Sequence, residues 1–149
     1  MRLALDILSI LLIGPLIGVE FAVSAFVNPV LAQVGGFGEA AGTRLFARRL
    51  GTFMPFWYAL CLILLIAEGA VRRHETDFLW IAAAAVLWAI VIFITVSFLV
   101  PINNRIAAMN PDDYNSSLRT QHTRWDRLHR GRVVFLALAM ASFLIGIRR

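Results

Sequence analysis

Charge is scarce in this sequence, and one of the two common cations is missing altogether. Only 15% of the 149 residues are charged, where an average soluble domain has roughly 25%. All fourteen basic residues are arginine, with no lysine anywhere. Together with 60% hydrophobic residues and a mean hydropathy of +0.77, the low charge excludes a soluble domain and specifies a multi-pass integral membrane protein. Cysteine is almost absent as well. The single one, Cys61, excludes an intramolecular disulfide and any multi-cysteine metal site; inside an apolar run it reads as a small buried hydrophobe. There is no internal repeat, no low-complexity segment and no basic-plus-aromatic stripe on a soluble surface. The formal charge of +5 therefore does not point to nucleic acid. Its arginines flank apolar runs, as contact with a lipid bilayer and its anionic headgroups requires.

What is present is apolar sequence in runs of about 20 residues, enough to cross a hydrocarbon core of roughly 30 Å. Four spans are predicted, over residues 5–30, 52–71, 78–100 and 133–147. The expected fold is all-α, one domain over residues 1–149, an up-and-down four-helix bundle. In the first span Gly14-Pro15 is placed to kink the helix. The run is too long for a cleaved signal peptide, carries Glu20 and lacks a small-residue cleavage site, so it reads as a retained helix. Residues 33–50, with Gly35-Gly36-Phe37-Gly38, read as a flexible loop, and Pro101 is predicted to stop the third span. Pro111-Asp112-Asp113 has the proline and first-turn acids of a helix start. From there one helix is expected to run through the polar segment 101–132 into the fourth span and to project beyond the bilayer. Nine arginines fall on the side of segments 33–50 and 101–132, and five on the side of the termini. The positive-inside rule then predicts those two segments on the cytoplasmic side.

The polar segment holds two of the three histidines and six of the fourteen arginines. His122, Trp125, His129 and Arg132 recur at helical spacing, so one face of the fourth helix carries all four. Arg124, Arg127 and Arg130 fall on other faces, where Asp126 pairs with Arg130. On this face His129 is suited to act as a general base, Arg132 to stabilise an anion and Trp125 to stack on a flat ligand. A carboxylate in the membrane needs a partner inside the bundle, and Glu20 is spaced with Ser24 and Asn28 along one face of the first helix. That stripe is either the wall of a polar cleft or a hydrogen-bonding seam between helices. Asn103 and Asn104 follow Pro101. They cap the chain, or present an amide to a carbonyl or hydroxyl at the mouth of the bundle.

The chain resembles the anthrone oxygenase-like family of small four-helix membrane proteins. The resemblance rests on Phe26-Val27-Asn28-Pro29 closing span one, Pro101-Ile102-Asn103 closing span three, and Trp125, His129 and Arg132 opening span four. It implies oxidation of an apolar, anthrone-type or other polyketide-like aromatic by O2, with no dedicated redox cofactor. It also implies Asn103, Trp125, His129 and Arg132 as motif positions: His129 the base, Arg132 the oxyanion stabiliser, Asn103 a donor to the substrate oxygen. Glu20, Asn28 and His122 join the substrate-binding set on the physical reading of the residues alone. Two other readings stay open. One is a haem- or transition-metal-binding protein with His129 or His122 as ligand, although the paired Glu-x-x-His signature of a di-iron bundle is lacking. The other is a small proton-coupled transporter working through Glu20. A homo-oligomer is compatible with all three.

Overall fold

The computed structural model describes residues 2–113 and 116–148 of the chain. Four long helices form an all-α bundle, with no strand among the described residues: α1 Arg2–Val34, α2 Gly36–Val71, α3 Phe78–Ala108 and α4 Ser116–Gly146. Each packs on the next in chain order, and α1 packs on α4 to close the bundle. Each contains a window apolar enough to cross a membrane. Leu3, Phe56, Leu79, Phe93 and many other large apolar side chains point outward, which suits a surface solvated by lipid rather than water.

All four helices outrun the bilayer. With 31 to 36 residues each, they are roughly 46–54 Å long, against a hydrocarbon core of about 30 Å. The excess is not confined to α4. Residues 33–50 are not the loop expected of them: from Gly36 onward they form the first turns of α2. Ala40, Thr43 and Ala47 lie at helical spacing and are buried, and Ala40 and Ala47 pack with Ile106 and Met109 at the end of α3. This packing outweighs the poor helix propensity of the nearby glycines. The flexible turn shrinks to Gly35 and Gly36, at φ 66° and 53°.

Pro101 does not stop α3 either. The helix widens into a π turn over Thr95–Leu99 and continues to Ala108, with the Val100 N–H donating to the Thr95 carbonyl. α1 does the same ahead of Pro29, with a π turn over Val23–Val27 and the Asn28 N–H donating to the Val23 carbonyl. A proline lacks the N–H for an ordinary helical bond, and its ring crowds the carbonyl four residues back. The wider turn accommodates that crowding without ending the helix. α1 stays helical through Gly14-Pro15. Pro111–Asp113 forms a short 3₁₀ turn ahead of α4 rather than its first turn.

The main apolar core lies towards the end that holds the α2–α3 turn, built from Ile13, Leu16, Cys61, Leu65, Trp88 and Phe143 among others. Beyond it sits a polar clamp that the sequence reading did not single out. Ser9 donates to Glu68 (2.8 Å), and Arg72 binds both Glu68 and Asp6, the latter at 2.5 Å. Glu68 is fully buried, so the Arg72 guanidinium is what makes its charge tolerable there.

Arg72→Met should destabilise the protein in detergent by about 3–5 kcal/mol, because it strands a buried carboxylate. Combining it with Glu68→Leu should recover most of the loss; equal loss in the double variant would refute the clamp. Gly35→Ala should cost about 1–3 kcal/mol, since φ 66°, ψ 176° is open only to glycine. Gly18→Ala, with open space around its Cβ position, should leave the thermal midpoint unchanged or slightly raised.

Candidate functional site

The π turns of α1 and α3 lie beside a stretch of bundle interior that is not filled by apolar packing. A cavity of about 300 Å³ lies here, lined by all four helices. Most of its wall is apolar, with Leu31, Phe46, Leu50, Met54, Leu99 and Ile106 contributing. The second, smaller apolar cluster closes the far end, so the cavity sits between two packed layers. Its polar groups come from all four helices.

At the inner end of the cavity a single polar node takes one or more side chains from every helix. Glu20 of α1 is buried and accepts on both oxygens: from the Tyr58 hydroxyl of α2 at 2.8 Å and from Arg132 Nη2 of α4 at 2.5 Å. Arg132 Nη1 donates to Thr95 Oγ1 of α3 (3.2 Å), whose hydroxyl donates to the Val91 carbonyl (2.7 Å). The guanidinium also lies over the Tyr58 ring, 5.6 Å from its centroid, a favourable cation–π placement. Arg132 has five N–H groups. Two on Nη2 and one on Nη1 are engaged, while Nε has no partner. Two donors are therefore uncommitted in a water-poor site.

His129 is wholly buried within this node. Its Nε2 lies 3.1 Å from the Glu20 main-chain carbonyl, which only accepts, so Nε2 carries the proton. Its Nδ1 then accepts from Arg132 Nη2 at 2.8 Å. Both ring nitrogens are occupied, which differs from the free general base expected of this residue. From His129 a ladder of parallel rings runs along α4. Trp125 stacks on His129 at 4.7 Å and His122 stacks on Trp125 at 6.0 Å, each pair within 11° of parallel. The helical spacing of these residues thus does place them on one inward face, and all four of His122, Trp125, His129 and Arg132 line the cavity. Arg124, Arg127 and Arg130 are exposed, and Arg130 pairs with Asp126 (2.5 Å).

The α1 stripe is only partly assembled. Glu20 and Asn28 line the cavity, but Ser24 does not. Ser24 lies within the π turn, whose extra residue per turn rotates it out of line with the other two. Asn28 donates to Asp126 of α4 at 2.7 Å. Asn103 also lines the cavity and donates one amide hydrogen to the Ala47 carbonyl (3.0 Å), while its side chain sits against Gly51. Its second amide hydrogen is left for another acceptor. Asn104 lines the cavity from its exposed rim. Tyr58 and Thr95 were missed by the sequence reading. The available signal was a lone hydroxyl within an apolar span, since a buried Tyr O–H nearly always finds an acceptor.

Among the described residues no group of three or more His, Cys, Asp and Glu side chains is placed to hold a metal ion. Both ring nitrogens of His129 are engaged within the node. The transporter reading needs a carboxylate that exchanges protons with both sides. The Glu20 carboxylate is instead held by Tyr58 and Arg132, and apolar Ile13, Leu16, Cys61 and Leu65 separate it from the Glu68 clamp.

No curated protein and no solved structure matches the chain. Residues 43–142 match the family model described as anthrone oxygenase. The match spans about two thirds of the 149 residues. It includes Tyr58, Thr95, Asn103 and the whole α4 ring ladder, and leaves Glu20 and Asn28 outside it. With its cavity bounded largely by this matched region, the chain belongs to the anthrone oxygenase family.

Proposed function

We propose that this protein is a membrane-embedded oxygenase. It would convert a flat, apolar aromatic ketone of the anthrone type to the corresponding quinone with O2 and no redox cofactor. The observation that carries the reading is the Arg132 guanidinium at the inner end of an apolar cavity walled by parallel aromatic rings, with one Nη1 hydrogen that no protein group accepts. Loss of a methylene proton turns such a ketone into a delocalised enolate. Arg132 would hold the oxyanion, worth several kcal/mol in a water-poor site, and the second amide hydrogen of Asn103 would donate to a substrate oxygen. The His122–Trp125–His129 ladder would form the aromatic wall beside the flat ring system, while Glu20, Asn28 and His129 keep Arg132 and the helix ends in place.

The enolate carbon then bonds to O2 and the resulting peroxide takes up a proton. Removal of the second hydrogen from the same carbon breaks the O–O bond. One oxygen atom ends in the quinone carbonyl and the other in water. The substrate would arrive from lipid, because Gly51, Pro55 and Val96 both line the cavity and are exposed on the outer surface of α2 and α3.

Purified protein should consume one O2 per anthrone-type ketone oxidised, followed by quinone absorbance and an oxygen electrode. Arg132→Met should lower kcat by about 10²- to 10³-fold. Arg132→Lys, which keeps the charge opposite Glu20, should fold normally and recover only part of the rate. Wild-type rate in either variant, or no quinone from any anthrone-type ketone, would remove this function.

A further inference from the structure

We propose that His122, and not the buried His129, takes the methylene proton, an assignment that rests on the oxygenase reading above. Three observations support it. The first is availability. Both nitrogens of His129 are occupied by Arg132 and the Glu20 carbonyl. His122 has no hydrogen-bond partner among the described residues, and its ring lies parallel to that of Trp125 with the centroids 6.0 Å apart. It lines the cavity and is half-buried.

The second is spacing. In an anthrone the acidic methylene and the ketone carbonyl lie on opposite edges of the central ring. A base and an oxyanion donor that act on the two must stand apart by the ring's width plus a hydrogen bond of about 3 Å at each side. His129 touches Arg132 at 2.8 Å, so the two address the same edge. His122 lies ten residues earlier on α4, about 15 Å along the helix axis. The backward lean of helical side chains carries the Arg132 guanidinium toward it. Trp125 stands between them in the ring ladder and lines the cavity.

The third is the fate of the proton. Burial keeps His122 in the neutral, proton-accepting form, and the carboxylates of Asp126 on α4 and Glu39 on α2 offset part of that cost once the proton is taken. Arg119, bound to Glu39 at 3.6 Å, is one turn away and exposed, so His122 stands next to the aqueous boundary. In the step itself the methylene C–H breaks and an N–H forms on His122. The electron pair stays on the substrate, delocalised to the oxygen held by Arg132, and the same proton is available to the peroxide formed later. His129 is then a positioning residue that orients Arg132.

Deuterium exchange into the methylene of an anthrone-type ketone, without O2 and in D2O, reads this step separately from oxygenation. Wild-type protein should accelerate exchange above the detergent background. His122→Gln should fold with an unchanged thermal midpoint and bind the ketone within a few-fold, but lose about 10²- to 10⁴-fold in exchange rate, with partial rescue by added imidazole. His129→Gln should weaken binding and kcat yet still exchange. Full exchange in His122→Gln, or no exchange in the wild type, overturns the assignment. Wild-type exchange without O2 but no quinone in air would instead remove the oxygenase reading and leave His122 as the base.

Discussion

The ion pair between Glu20 and Arg132 sets the terms for the rest of this structure. An ionised carboxylate in a membrane bundle costs several kcal/mol unless its charge and its lone pairs are all met. Here they are met from three other helices: the Tyr58 hydroxyl on α2, Arg132 on α4 and, through Arg132, the Thr95 hydroxyl on α3. Sliding any helix by one turn would strand a charge or a hydroxyl. Apolar side chains in lipid supply no comparable penalty for a register error, because lipid tails are as apolar as the core. The polar node therefore fixes the relative heights of four otherwise slippery helices, with the Arg72 clamp doing the same for α1 and α2 at the opposite end.

The two π turns explain why a cavity is there at all. Each precedes a proline by two residues, Pro29 in α1 and Pro101 in α3, and each borders the cavity. A regular helix in either place would bring an unbroken row of apolar side chains across the gap. Widening the turn offsets the backbone and lets the helix continue past the proline. Those continuations, with the long start of α2 and the polar start of α4, enclose the cavity. The bundle thus has an apolar half that is packed and a boundary half that is built to hold a ligand.

Much of the site could be read from residue spacing, because α4 is a regular helix throughout the stretch that matters. His122, Trp125, His129 and Arg132 face the cavity as their spacing requires, and Glu20 needed a partner on energetic grounds alone. Spacing failed where the helix was irregular: Ser24 turned out of line in a π turn, and Pro101 failed to end α3. It also failed in residues 33–50, where glycines suggested a loop and long-range packing of Ala40 and Ala47 on α3 made a helix.

Composition and run length by themselves determined the membrane class, the count of four helices and the face of α4 that carries the rings. These follow from solvent and from local geometry, which act on each segment independently. Which charges pair, which nitrogen of His129 is occupied, and that Tyr58 and Thr95 complete the node were decided only by the tertiary structure. Those properties depend on distances between residues as far apart as Glu20 and Arg132, and no local periodicity encodes them. The difference between a histidine that can accept a proton and one already bonded on both sides is of this second kind.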